Sequence, residues 1–219
     1  MKIKIFDIKW STKTAGPSPY NNERTELFFF GCKKALEGNP CIGCFNPDLW
    51  DCSKAIYDYT PEEIAFKIKE YAPNKYITIG GGEPTDQIDG LIELTRLLKA
   101  MDFNIMVYTY KDISNIIDPT EKSKINMLLN NINLLIDGEY DYREHMYREN
   151  KEDGFLNSIG SGNQTIWINN YNIVNSTKII IGHKMKDVKS LYFDDNNNLI
   201  IKRKQNKNNP ISYVIEEDN

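Results

Sequence analysis

Leu27-Phe28-Phe29-Phe30-Gly31-Cys32, followed further on by Cys41-Ile42-Gly43-Cys44-Phe45-Asn46-Pro47-Asp48-Leu49-Trp50, is the stretch on which the reading of this chain turns. Leu27–Phe30 is a short apolar run of the kind that forms a buried strand. Cys32, Cys41 and Cys44 then sit on the loop that leaves it. Thiolates select iron–sulfur clusters, zinc or Cu(I). A [4Fe–4S] cluster has four iron corners and normally takes four cysteines. Three ligands leave one iron open, much as an open position marks a catalytic zinc. The competing reading is a structural zinc site made by Cys32, Cys41, Cys44 and Cys52, with one C-x2-C pair.

Working outward, Thr60-Pro61-Glu62-Glu63 is a helix start, with Thr60 as N-cap and Pro61 at the first helical position. Ile64, Ala65, Ile68 and Tyr71 share one face of that helix. Tyr76–Ile79 reads as a strand ending in Gly80-Gly81-Gly82. Ile88, Leu91, Ile92, Thr95, Leu98 and Met101 mark a second amphipathic helix. Asn104–Tyr108 reads as a strand, Glu121–Asn130 as a helix, and Ile132–Ile136 as a strand closed by Asp137-Gly138. This alternation predicts a parallel sheet with right-handed crossovers. The polar stretch from Asp141 to Gly162 reads as a long surface loop. Gln164–Ile168, Lys178–Ile181, Ser190–Phe193, Leu199–Lys202 and Ser212–Ile215 read as short antiparallel strands, with a hairpin turn at Asp194–Asn198. The expected organisation is a core over residues 1–168, with the cysteine loop at 31–52, and a β-rich extension over residues 169–219.

In parallel α/β sheets ligands gather at the carboxyl ends of the strands. Four features of the sequence fall there: the cysteine loop, Gly80-Gly81-Gly82-Glu83-Pro84, Thr109-Tyr110, and Asp137-Gly138-Glu139. The glycines let backbone approach a ligand closely. Glu83 is then a fixed acceptor, and Pro84 stiffens the turn.

The composition suits a soluble globular protein: 219 residues, 40% hydrophobic and 26% charged. A net charge of −4 argues against nucleic acid as the main partner. The N-terminus lacks the apolar region of a signal peptide, and no stretch approaches the ~18 apolar residues of a membrane span. The expectation is a cytoplasmic protein with no membrane partner, in which four cysteines point to metal binding rather than disulfides.

Taken together, Cys41–Trp50 resembles the cluster loop of radical S-adenosylmethionine (SAM) enzymes, and more narrowly that of the activating proteins of anaerobic ribonucleotide reductases. Gly81-Gly82-Glu83-Pro84 resembles the SAM-binding motif of that family. Arg24, Val107–Tyr110, Ile136-Asp137-Gly138 and Gly160–Gln164 fall in the matching order, so that the resemblance covers about Gly16 to Ile168. The chain departs from the family in the eight residues between Cys32 and Cys41, where the family has three, and in its C-terminal extension. A longer spacer still closes on one cluster, because loop-closure entropy grows slowly with length.

The resemblance implies a partial, open (β/α) barrel of the radical SAM type with a small C-terminal antiparallel β extension. It implies a [4Fe–4S] cluster on Cys32, Cys41 and Cys44, and SAM held by Gly81, Gly82, Glu83, Pro84, Thr109, Tyr110 and Asp137. It implies reductive cleavage of SAM, a glycyl radical enzyme as protein substrate, and flavodoxin or ferredoxin as electron donor. A small-molecule or peptide substrate is the alternative within that chemistry. Asp137 is either a cavity residue or a strand-end cap. Trp50 is read as bracing the cluster loop, Arg24 as a structural ion-pair residue, and His145 and His183 as surface or packing residues.

Overall fold

The computed structural model describes residues 1–55, 58–145, 160–174, 177–204 and 209–215. β1 (Ile3–Thr12) and β2 (Arg24–Phe29) form an antiparallel pair, with Ile5 opposite Phe29 and Lys9 opposite Glu26. The cysteine loop opens with one helical turn, α1 (Lys33–Leu36). β3 (Asp58–Tyr59) pairs with the start of β1 and leads into α2 (Pro61–Tyr71). Thr60 Oγ1 accepts the Glu63 N–H at 3.2 Å, and the Glu63 carboxylate accepts the Thr60 N–H at 2.7 Å. This reciprocal capping box fixes the helix start at the predicted residue.

β4 (Tyr76–Gly81), α3 (Ile88–Ala100), β5 (Asn104–Tyr108), α4 (Pro119–Asn131) and β6 (Leu134–Asp137) follow. β6 begins at Leu134 rather than the expected Ile132, because Ile132 is the C-cap of α4 and Asn133 N–H bonds the Ile105 carbonyl at 2.9 Å. β2, β4, β5 and β6 are parallel neighbours. β7 (Thr165–Val174), β8 (Thr177–Lys184) and β11 (Ile211–Ile215) extend that sheet antiparallel from β6. The resulting nine-stranded order is β11-β8-β7-β6-β5-β4-β2-β1-β3. β9 (Val188–Phe193) and β10 (Leu199–Arg203) form a separate hairpin, whose turn is held by Asp194.

The class is therefore mixed α/β, as expected, with a larger sheet than the alternation alone suggests. The C-terminal strands are antiparallel, but three of them belong to the main sheet. The expected boundary at 168/169 falls inside β7, where Leu134 faces Ile168 and Leu135 faces Trp167. Of the expected loop from Asp141 to Gly162, residues 146–159 lie outside the described residues.

Strand parity divides the sheet into two faces. On one face, Leu27, Phe29, Ile77, Ile79, Ile105, Val107 and Leu135 pack in one core with Ile64, Ile68, Leu91, Leu94, Leu98 and Leu128 of α2–α4. Each such side chain contributes about 1.5–3 kcal/mol when fully buried. On the opposite face Met106, Leu134, Ile136, Ile166 and Ile168 are covered by Met185, Val188 and Leu191. The hairpin β9–β10 thus fills part of that face, and the part nearer β2 and β4 is left as a cavity.

Arg24 lies fully buried near the amino ends of the parallel strands. The expected ion pair is not what holds it: among the described residues no carboxylate bridges to it, and it is carried by oxygen dipoles. Its guanidinium donates to Thr78 Oγ1 at 2.8 Å and to the carbonyls of Pro17 and Ile77 at 2.7 and 2.6 Å. Burial without a counter-charge lowers its pKa to about 9.

Candidate functional site

Cys32, Cys41 and Cys44 line one cavity, at the carboxyl ends of β2 and β4. The loop is fastened to itself: Gly31 N–H bonds the Leu49 carbonyl at 2.7 Å and Cys32 N–H the Trp50 carbonyl at 2.9 Å. Cys44 N–H donates to the Cys41 carbonyl at 3.2 Å, and Trp50 Nε1–H donates to Cys44 Sγ at 3.4 Å. Trp50 therefore braces the loop and also touches a candidate ligand. The eight-residue spacer is taken up by α1 and by a turn at Gly38, whose φ is +85°. Asn39 N–H then returns to the Lys34 carbonyl at 3.1 Å, which brings Cys41 back beside Cys32.

Burial pushes the Cys32 thiol up to about 11 and raises Cys41 as well. A metal cation supplies the charge that lets such a thiol bind as the thiolate. Cys52 does not line the cavity; it lies behind Gly31, whose absent Cβ would stand 3.2 Å from Cys52 Cβ. Three cysteines on one cavity, with Cys52 off it, form a donor set that fits a [4Fe–4S] cluster with one iron left open.

The glycine run forms the second wall. Gly81 has φ +111°, and a Cβ there would stand 2.5 Å from the Phe29 nitrogen; at Gly82 a Cβ would stand 2.2 Å from the Gly31 oxygen. The close approach these glycines permit is therefore first of all to the cysteine loop itself. Gly82 N–H bonds the Phe29 carbonyl at 2.9 Å, Glu83 N–H the Gly31 carbonyl at 2.6 Å, and Asn46 Nδ2–H the Gly81 carbonyl at 3.1 Å. Gly80 is the glycine whose missing Cβ leaves room, with only Tyr108 Cδ2 at 3.7 Å.

Glu83 lines the cavity yet is 2% exposed, and four donors already meet its carboxylate. Oε1 accepts Thr85 N–H at 2.9 Å, Thr85 Oγ1–H at 2.6 Å and Thr109 Oγ1–H at 2.9 Å; Oε2 accepts Tyr110 N–H at 2.9 Å. Burial nonetheless pushes its pKa upward. Thr109 and Tyr110 join Glu83, Gly81, Gly82 and the three cysteines on the cavity wall. Two predicted residues do not. Pro84 is buried in the turn behind Glu83. Asp137 is the strand-end cap of its two readings: Oδ2 accepts the Ile113 N–H at 2.9 Å, and parity turns it from the face that Ile136 occupies.

The cavity also holds residues the sequence reading did not single out as ligand contacts. Glu26 and Phe28 enter from β2, on the parity opposite to Leu27 and Phe29, a signal present in the strand itself. Tyr140 enters from the segment after β6, with its ring 4.6 Å from that of Phe45. That segment is laced to the cysteine loop by Tyr142 N–H to the Ile42 carbonyl at 3.0 Å. His145 packs there, with Nδ1 3.1 Å from the Tyr140 hydroxyl. Among the described residues lining the cavity, Glu26 and Glu83 carry ionisable carboxyls and none is Lys, Arg or His.

A family model described as a 4Fe-4S single cluster domain matches residues 22–167, more than half of the chain. The chain belongs to that family, which supports a [4Fe–4S] cluster as the group it binds. Among curated proteins none matches the chain in sequence. No helix among the described residues is long and apolar enough to cross a membrane.

Proposed function

We propose that the chain is a radical SAM enzyme whose cluster is held by Cys32, Cys41 and Cys44, in the setting of a partial, open (β/α) barrel formed by β2, β4, β5 and β6. The observation that carries this reading is one cavity shared by three cysteines and the Gly81-Gly82-Glu83 wall. A structural zinc site has no need of that wall, and Cys52, its fourth ligand, lies off the cavity. When bound, the cluster would supply the electron that breaks the sulfonium C–S bond of SAM, giving methionine and a 5′-deoxyadenosyl radical. The protein's part is to bind, orient and shield. Cys32, Cys41 and Cys44 would hold three of its irons, which would leave one for SAM. Glu26 and Glu83 line the cavity, and among the described lining residues none is Lys, Arg or His, which favours a ligand that carries positive charge, as SAM does on its ammonium and sulfonium groups. Thr109, Tyr110 and Tyr108 offer a hydroxyl and aromatic surface to its ribose and adenine.

The substrate we propose is a glycine of an anaerobic ribonucleotide reductase-like partner, with flavodoxin or ferredoxin as reductant, in the cytoplasm. The described C-terminal strands line none of the cavity, since β9–β10 packs against Met106, Leu134 and Ile136 instead. That arrangement favours access by a protein loop over enclosure of a small molecule. The test is to incubate cluster-loaded protein with SAM and dithionite under anaerobic conditions and assay the nucleoside product by chromatography. The expected product is 5′-deoxyadenosine; iron-loaded protein that leaves SAM intact would overturn the reading.

A further inference from the structure

The eight-residue spacer between Cys32 and Cys41 does more than span a distance. It carries Lys34, the one buried lysine among the described residues, at 8% exposed. A buried ammonium is costly unless it is paired, and this one is held from three sides. Its Nζ donates to the Asn39 carbonyl within the spacer and pairs with Glu139 Oε1 at 3.2 Å. It also stands 5.9 Å from the centre of the Tyr110 ring, on the cavity wall. Lys34 lies two residues after Cys32, and its acceptor Asn39 two residues before Cys41. The ammonium is thus bracketed by the flanks of two candidate cluster ligands, while its partner Glu139 is more than half exposed.

Resting on the cluster reading above, we propose that Lys34 is a positioning residue for the cluster, a fixed cation whose charge sets the reduction potential of a cluster bound by Cys32, Cys41 and Cys44. The electrostatics are direct. Reduction adds one electron to the cluster, and a cation held nearby in a poorly solvated site stabilises the added charge. Glu139 partly offsets that cation from the solvent side. Loss of Lys34 should therefore lower the midpoint potential, and loss of the Glu139 charge should raise it.

The test is a dithionite redox titration, followed by electron paramagnetic resonance, of reconstituted full-length wild type, Lys34→Met, Lys34→Arg and Glu139→Gln, with iron measured in each. The expected result is a downward shift for Lys34→Met, an upward shift for Glu139→Gln, and a potential near wild type for Lys34→Arg. A purely structural role for the pair would not move the two neutral variants in opposite directions. If Lys34→Met fails to load iron, Glu139→Gln alone decides, because its side chain is largely in solvent. Unmoved potentials in iron-loaded variants, or shifts of the same sign, would overturn this inference and leave the cluster reading intact. Wild-type protein that takes up no iron would overturn the cluster reading and the inference with it.

Discussion

Glu83, at the turn after β4, accepts the backbone N–H of Tyr110, just past the end of β5, at 2.9 Å. The other oxygen takes two donors from Thr85 and one from Thr109. The carboxylate thereby ties together the ends of two neighbouring strands and sets the wall on which a ligand would rest. A buried acceptor with four donors is a high-stakes network, stable when satisfied and costly when broken.

Glu83→Gln should expose that cost. Its amide NH2 must face either the Tyr110 N–H or the Thr85 N–H, and one backbone donor then loses its acceptor. The expected destabilisation is about 1–3 kcal/mol, read as a lower urea midpoint with unchanged slope. Thr109→Val, which removes a hydroxyl donor and leaves Glu83 in place, should cost less. Equal stability of Glu83→Gln and wild type would contradict this account.

Gly80 and Gly82 should separate packing from ligand binding. A Cβ at Gly82 meets the Gly31 oxygen at 2.2 Å, backbone that has nowhere to move without shifting the cysteine loop. Gly82→Ala should lose about 1–3 kcal/mol or more and hold less iron per chain. Gly80→Ala meets only ordinary contact, at 3.7 Å from Tyr108, and should fold as wild type while weakening ligand binding in the cavity. Thermal melting and iron analysis of the two variants distinguish them.

Asp137 predicts a pH dependence with a definite sign. Burial raises its pKa to about 6, whereas in an unfolded chain it ionises near 4. Between those values the folded state binds the extra proton, so its stability falls as pH rises and levels off above about 6. Asp137→Asn removes this slope. Relative to wild type, the variant should gain on the order of 2–3 kcal/mol between about pH 4 and pH 7. Parallel stability profiles for the two proteins would show that Asp137 does not hold a proton in the fold.

The cysteines should not be equivalent. Alanine at Cys32, Cys41 or Cys44 should each reduce bound iron and sulfide and bleach the visible absorption of the cluster. Cys52→Ala should retain both, since Cys52 lies off the cavity. Loss of metal in all four variants would favour a four-cysteine site.

Much of this architecture was legible in local sequence. Thr60-Pro61 and Glu63 carry the whole start of α2 within four residues, and β5 is a run of strand formers bounded as predicted. What local pattern does not carry is pairing between distant segments. β7 joins β6 across more than twenty residues of chain, so its place in the main sheet is a long-range choice. β1 gives no local strand signal, because only Ile3 and Ile5 of its ten residues are buried, too short an alternation to stand out among Lys2, Lys4 and Asp7. The cysteines and glycines mark the candidate site by type and spacing, and the fold gathers them on one cavity. Asp137 did not, because a step of one residue from Ile136 decides which face a strand residue meets. Glu26 follows the same parity into the cavity, but one acidic residue between Thr25 and Leu27 gives no hint of what it faces until the sheet is assembled.

The most direct test of the central claim is electron paramagnetic resonance of reconstituted, dithionite-reduced protein with and without SAM. A [4Fe–4S]⁺ signal that changes shape when SAM is added is the predicted result, because SAM would reach the iron that a cluster on Cys32, Cys41 and Cys44 would leave open. A colourless, silent sample carrying one zinc per chain, or a cluster signal indifferent to SAM, would contradict it.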